Sequence, residues 1–318
     1  MITGAQSKVL LGIESTFGNE ATATYKLPVK SESLNYTVEA VRSEALLGYR
    51  APKSLAPGQI GAEGSTDIEL YPETSGVLFY LALGKSEQID ESGTGGPIYT
   101  KITPIGVSDD LPSASIEVAH GTESFKYLGM KVNQLRFSGS VGGIPSVSVD
   151  WVGVDEQTGA LSQGTLKEPG DSPFYFKELI LYTDEFTTST DLYSSIDLTI
   201  NNNLVTDDYR LDGTAKRKTI DAGALEITGT IDIIFDATTV AGEYVKYKDF
   251  TDASLGIELA KDDTNKLQIY IARLRFSNMT HDIGGPDKIT LSAEFTAVIP
   301  ASGDIIYVKD YTNQDGNY

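Results

Sequence analysis

The chain reads as an all-β protein built from two tandem β-sandwich or barrel domains, each with one flanking α-helix. Three observations carry that reading: runs that alternate apolar and polar residues, a composition suited to strands and turns, and a pattern that recurs in the second half. The 318 residues include 31 Gly, 17 Tyr and 12 Pro, as expected of many short strands joined by tight connections. Alternation is clearest in Leu34-Tyr36-Val38, in Ile60 to Leu70, in Val147-Val149-Trp151, in Ile196-Leu198-Ile200, in Leu225 to Phe235 and in Ile289-Leu291-Ala293. Each run places apolar or small side chains on one face and polar ones on the other.

Two segments read as helices, and each follows one of the two long alternating strands. Glu73 to Leu83 follows Pro72, suited to a first helical turn, and ends at Gly84, which can adopt the left-handed cap conformation. The other is Thr239 to Lys248. The shared order extends to an internal repeat. Ile60 to Leu70 aligns without gaps on Leu225 to Phe235 at an offset of 165, pairing Gly64 with Gly229 and Asp67 with Asp232. Leu34-Tyr36-Val38 matches Ile196-Leu198-Ile200, and Tyr49-Arg50 matches Tyr209-Arg210. Ile116-Glu117-Val118-Ala119 matches Ile257-Glu258-Leu259-Ala260 at an offset of 141. Leu135-Arg136-Phe137-Ser138 recurs unchanged as Leu274-Arg275-Phe276-Ser277, and Gly142-Gly143 as Gly284-Gly285.

The expected organisation is a first repeat over 1–157, a linker over 158–170 rich in Gly and Pro, a second repeat over 171–300 and a C-terminal arm over 301–318. The fall in offset from 165 to 141 assigns the first repeat 24 extra residues, within an insertion around 85–112 that forms a loop or protruding hairpin with Ile98 to Ile102 as its strand. Each repeat also holds a long polar connection, Val41 to Gln59 and Asn202 to Gly223. Connections of that length inside a compact domain usually have a function. Leu46, Leu47 and Tyr49 in the first, with Tyr209, Lys216 and Arg217 in the second, suit contact with another subunit.

With 25 Lys and Arg against 45 Asp and Glu, the formal net charge is −20. Tight sequence-independent binding to a phosphate backbone needs clustered cations, so the balance argues against it. The absence of Cys excludes disulfides, thiolate zinc sites and a cysteine nucleophile, and fits assembly in a reducing cytoplasm. No secretory leader or transit peptide is read at the N-terminus. The longest apolar run, Val77 to Leu83, falls far short of the ~20 residues of a membrane span.

No catalytic, cofactor or metal residues are expected from the sequence. His120 and His281 occupy unrelated positions with no second His at ligand spacing. Gly84-Lys85-Ser86 resembles the end of a phosphate loop but has Phe79 where that motif requires Gly. Gly139-Ser140-Val141-Gly142 resembles a nucleophile elbow but has Ser138 at the leading Gly position. The pairs Asp109-Asp110, Asp207-Asp208 and Asp262-Asp263 lack a calcium-loop pattern and read as solvated turns. Tyr49, Tyr99, Tyr175 and Tyr209 read as exposed interface aromatics, in preference to a sugar platform. Arg136 and Arg275 read as ion-pair partners.

The opening Gly12 to Thr22, the strand lead Tyr25-Lys26-Leu27-Pro28-Val29 and Ser31 to Leu34 resemble the start of phage major tail proteins, the tail tube subunits of long-tailed, siphovirus-like phages. The polar connection, the strand Gly64 to Leu70 and the helix ending in Leu81-Ala82-Leu83-Gly84 follow that family's order. The resemblance implies a structural virion protein whose inner sheet joins its neighbours into a barrel, with the long loop reaching the adjacent ring. Six copies of the fold normally make a ring, so two per chain imply a homotrimer. It further implies tail terminator, tail-tip and tape-measure proteins as partners, and DNA that transits the lumen during ejection without tight binding. An acidic lumen would keep DNA off the wall, with Asp67, Glu69, Glu226 and Asp232 as candidates and Thr228 beside them.

Two other readings compete. A head decoration protein, adhesin or carbohydrate-binding tandem would be monomeric and bind a glycan or capsid. An all-β hydrolase would need a loop-clustered carboxylate pair.

Overall fold

In a computed structural model the chain is described over residues 3–45, 48–281, 289–314, 316 and 318. Leu46, Leu47 and the Gly284-Gly285 match lie outside the described residues. The first half contains β1 (Ser7–Ile13), β2 (Ala23–Leu27), β3 (Val29–Glu32), β4 (Asn35–Arg42), the long β5 (Leu55–Glu69) and α1 (Pro72–Leu83). There follow β6 (Gly84–Asp90), β7 (Ile98–Pro104), β8 (Ala114–His120), β9 (Glu123–Ser140), β10 (Ser146–Gly153), β11 (Asp155–Thr158) and β12 (Gln163–Lys167). The second half contains β13 (Leu179–Tyr182), β14 (Ser189–Thr190), β15 (Tyr193–Asn201), β16 (Glu226–Ile234) and a helical segment. It ends with β17 (Ala253–Ala260), β18 (Lys266–Thr280), β19 (Thr290–Ala297) and β20 (Ile306–Asp310). The protein is all-β, as its alternation predicts.

The central feature is one antiparallel wall. Strands β3 and β4 share one edge of β5, and β10, β9, β15, β16, β19 and β18 follow in that order. The two halves of the chain thus meet in a continuous sheet, through the pairing of β9 with β15 from Gln134↔Asn201 to Ser140↔Ser195. On the inner side of the fold a core rung runs Ile68, Val147, Phe137, Leu198, Gly229, Phe295 across six neighbouring strands. The five side chains of that rung are buried.

A second layer covers the core. It comprises β2, β1, β8, the first half of β9 and β11, with β12 added parallel to β2. Residues 158–170, expected as a linker, thus include a paired strand, and Leu161 packs with Leu10 and Ala23.

Helix α1 starts at Pro72 and ends at Gly84, whose φ of 97° is left-handed and whose N–H bonds the Tyr80 carbonyl, as its sequence predicts. It is not a flanking helix, however: Val77, Leu78, Phe79, Leu81, Ala82 and Leu83 are all buried. A helix apolar all round has no face to offer water and is enclosed. The second helical segment runs as α2 (Ala237–Thr239), a π-helical turn (Val240–Tyr244) and α3 (Val245–Lys248), with the Asp236 carboxylate capping the Thr239 N–H at 2.8 Å. Among the described residues no helix is long and apolar enough to cross a membrane.

The insertion around 85–112 forms the hairpin β6–β7, and β20 of the C-terminal arm lies between β7 and β18. Tyr99 and Ile102 are buried there, so this hairpin is packed into the fold. Expected exposure of Tyr99 is therefore corrected: β20 and Tyr311 cover it, the two rings 5.1 Å apart.

Candidate functional site: a polar sheet face and two open edges

Pleating sends alternate residues of every wall strand to the side away from the core. One outer rung runs Asp67, Ser148, Arg136, Thr199, Thr228, Thr296, and Arg275 continues it. Adjacent rungs add Glu69 opposite Ser146, Glu226 opposite Asn201, and Asp232 opposite Ser195 and Ser292. Asp67, Glu69, Glu226 and Asp232 thus lie on one face of one sheet, as do Asp150, Asp197 and Glu294. Hydrogen bonds from Ser31 and Ser148 hold the Asp67 carboxyl below its usual range, so it is anionic at neutral pH. Asp232 accepts from Ser195 Oγ at 2.8 Å. The arginines on this face are engaged: Arg136 lies 3.6 Å from Asp150, and Arg275 Nε donates to Asp252 at 2.8 Å. The face is hydroxylic and anionic, and its two arginines lie beside carboxylates.

The wall ends in two unpaired edges among the described residues. Leu274 pairs with Ala253 of β17 on one side and Ala297 of β19 on the other. Beyond Leu274, β18 continues against β19 alone, so its β17-side edge is open through Thr280. In the first half, β9 has a strand at the corresponding place: β15. At the other end of the wall, β3 and β4 pair only with β5. There Tyr36 and Val38 continue the core face opposite Ala62 and Ile60, yet they are 37% and 48% exposed, whereas Ile196, Leu198 and Ile200 of β15 are fully buried.

The two long connections leave the same end of the wall. Strands β4 and β5 extend the first into a hairpin as far as Arg42↔Leu55, with Tyr49 exposed. The second folds back on its own chain. Lys216 Nζ lies 2.6 Å from Asp155, and Arg217 donates to the Gly153 and Thr206 carbonyls at 2.8 and 2.9 Å. Its guanidinium lies where a Cβ on Gly61 would sit and 5.8 Å from the Tyr209 ring centroid. Lys216, Arg217 and Tyr209 are therefore brought together within one chain, leaving Tyr49 as the exposed member of the described set.

The repeated tetrapeptide does not occupy matching ladder positions, since Phe137 faces Val147 whereas Phe276 faces Phe295. The glycine–aromatic pairs do match: Gly64 faces Trp151 and Gly229 faces Phe295.

Elsewhere the ionisable groups serve the fold. His120 contacts Ser7 Oγ at 3.2 Å, and His281 lies among Phe235 and Tyr244. Asp208 binds Arg210 and Thr219, and Asp262 binds the Thr264 and Asn265 amides. The pairing of Lys131, which is buried, with Asp110 at 2.5 Å and the Ile220 carbonyl at 2.8 Å has no sequence signature. Neither has buried Asp310, which accepts from the Tyr318 hydroxyl at 2.6 Å. Among the described residues no group of three or more His, Cys, Asp or Glu is placed to hold a metal ion.

A family model described as phage tail tube protein matches residues 4–297. Comparison with curated proteins finds no match.

Proposed function

The chain belongs to the phage tail tube protein family, and we propose that three copies close edge to edge into one ring of the tube. Membership makes it a structural protein of the virion tail that self-assembles into tube rings; the family is not an enzyme family.

The observation that carries the trimer is the joint between β9 and β15. Inside the chain, the last strand of the first half takes the first strand of the second half on its free edge. Strand β18 has the same edge open and β4 offers the matching first strand. Repeating the internal joint between chains pairs β18 with β4 of a neighbour, satisfies both edges and buries Tyr36 and Val38. The matching strand order of the two halves, β4-β5-β10-β9 and β15-β16-β19-β18, supports an internal duplication, and the ring is then pseudo-sixfold.

Size favours three chains. The wall supplies eight strand positions per chain. At ~4.8 Å spacing and ~40° tilt, three chains give a barrel roughly 48 Å across at the backbone. Two chains give roughly 32 Å, which side chains reduce to about the width of a DNA duplex, leaving no clearance.

Residues on the core face of the wall, such as Ile68, Phe137, Leu198 and Phe295, are already buried within the chain, which leaves the polar face for the lumen. Its carboxylates repel phosphates, so the duplex passes during ejection without being held at each ring. On this reading the tube ends meet the tail terminator and tail-tip proteins of a siphovirus-like phage, with the tape-measure protein inside. Negative-stain microscopy with sedimentation velocity tests the proposal. Rings of three chains are expected; a stable monomer at high concentration overturns it.

A further inference from the structure

Each half of the chain packs one helical segment against its last wall strand, and the two segments differ in how they are covered. Helix α1 touches β9 of its own half and also β18 and β20 of the second. Second-half residues hold it along its length. Thr312 Oγ1 donates to the Pro72 carbonyl at 3.0 Å, the Asp310 carboxylate occupies the place of a Cβ on Gly76, and Asn202 Nδ2 donates to the Ala82 carbonyl at 2.9 Å. Helix α1 is therefore enclosed from both sides of the β9–β15 joint.

The second helical segment packs on β18 in the same way but is covered on one side only. Tyr244 and Tyr247 pack against the core. Ala241 and Lys248 are exposed, Val245 is 42% exposed, and Phe250, just beyond the segment, is 58% exposed. Phe250 has a φ of 50°, in the left-handed region that Gly84 takes at the end of α1. A bulky side chain rarely adopts this conformation, and strain held in place points to a task. Two backbone bonds fix the turn, from the Phe250 amide to the Tyr247 carbonyl at 3.2 Å and from the Thr251 amide to the Lys246 carbonyl at 3.0 Å. The ring centroid of Phe250 lies 4.9 Å from Arg275 Cζ, and Arg275 is where the open edge of β18 begins.

Resting on the ring reading above, we propose that Val245 and Phe250 cover Tyr36 and Val38 of the neighbouring chain in the same ring. The occupant is a second copy because the exposed patch is continuous with the open edge of β18, and because at the internal joint the helix in this place is closed by the other half. Tyr36 and Val38 lie on the core side of β4, the side on which Tyr244 and Tyr247 hold the segment to β18. Pairing β18 with β4 thus brings two uncovered apolar surfaces to the same side of the seam, where both leave water together. A turn fixed before binding also loses little conformational freedom on docking.

Phe250→Gly separates folding from docking. Glycine adopts a φ of 50° without strain, so the variant monomer should melt at or above the wild-type temperature while the concentration needed to form rings rises at least tenfold. The absence of native Cys permits a second test in the full chain. Phe250→Cys with Val38→Cys, assembled at high concentration and treated with a short bismaleimide, should give covalent dimers and trimers on a denaturing gel, and each single variant monomer alone. Within one chain the two sites lie at opposite ends of the wall, so these bands report contact between chains. Rings from Phe250→Gly at the wild-type concentration, or rings of the double variant that give monomer bands alone, overturn the helix contact and leave the ring reading standing. Wild-type protein that never forms rings overturns the ring reading and this contact with it.

Discussion

Phe295 lies directly opposite Gly229 in the ladder, and its ring fills the space where a Cβ on residue 229 would stand, 2.4 Å from Cζ. The same added carbon would meet the Asp197 carbonyl oxygen at 2.4 Å. Gly229→Ala should therefore destabilise the fold by about 1–3 kcal/mol through overpacking. Gly242→Ala is the control, since no atom lies within 4 Å of the added carbon there. It should be neutral or slightly stabilising in a helical turn. Denaturant melts of the two variants decide, and equal midpoints would refute the packing argument.

Strand closure makes a different demand. Tyr36 and Val38 are exposed in one chain and buried in the proposed ring, so Tyr36→Asp with Val38→Asp should leave the monomer's melting temperature nearly unchanged while abolishing rings. Sedimentation velocity reads both states. Rings of wild-type size from this variant would exclude β4 from the seam.

The polar face can be tested by reversing its sign. Glu226→Lys with Asp232→Lys should convert a protein that ignores DNA into one retained by it. Retention should weaken steeply as salt rises, because each phosphate neutralised releases condensed counterions. Electrophoretic mobility of duplex DNA with assembled rings measures this. Unchanged mobility at low salt would argue that this face does not meet DNA.

Acid should act through Asp310. Its carboxyl is fully buried, and desolvation raises its pKa above the ordinary value despite hydrogen bonds from Thr312 and Tyr318. The folded chain then binds this proton more tightly than the unfolded chain, whose Asp titrates near 4. Stability from this group is complete below that value and is lost as pH rises through the raised folded pKa. The melting temperature of wild type minus that of Asp310→Asn should accordingly be larger at pH 4 than at pH 8. A difference that grows with pH would reverse the assignment.

Lys131 ties the root of the second long connection to the first half by donating to the Ile220 carbonyl. Its ammonium also lies 4.9 Å from the Phe17 ring centroid. Lys131→Met keeps the apolar stem but strands that carbonyl, and should cost about 1–3 kcal/mol. Chemical denaturation measures it; an unchanged midpoint would show the carbonyl to be satisfied otherwise.

Alternation alone identified strands in runs such as Ile60 to Leu70 and Leu225 to Phe235, and which face each of their residues shows. Ile68 and Asp67 are neighbours in sequence and lie on opposite sides of the wall because the pleat has a period of two. Pro72 and Gly84 likewise bounded α1, through backbone preferences that act locally. The acidic face was legible for the same reason, with Asp67, Glu69, Glu226 and Asp232 all in phase. Pairing was another matter. Identical tetrapeptides around Phe137 and Phe276 fall at different ladder positions, since register depends on bulges and on the partner strand. Lys216 and Arg217, basic residues in a long connection, turn inward to Asp155 and Gly153 because the fold brings those acceptors within reach. Only the tertiary structure decided that β9 receives β15 while β18 and β4 remain open among the described residues: an edge is defined by what does not pair with it, a property of the whole sheet.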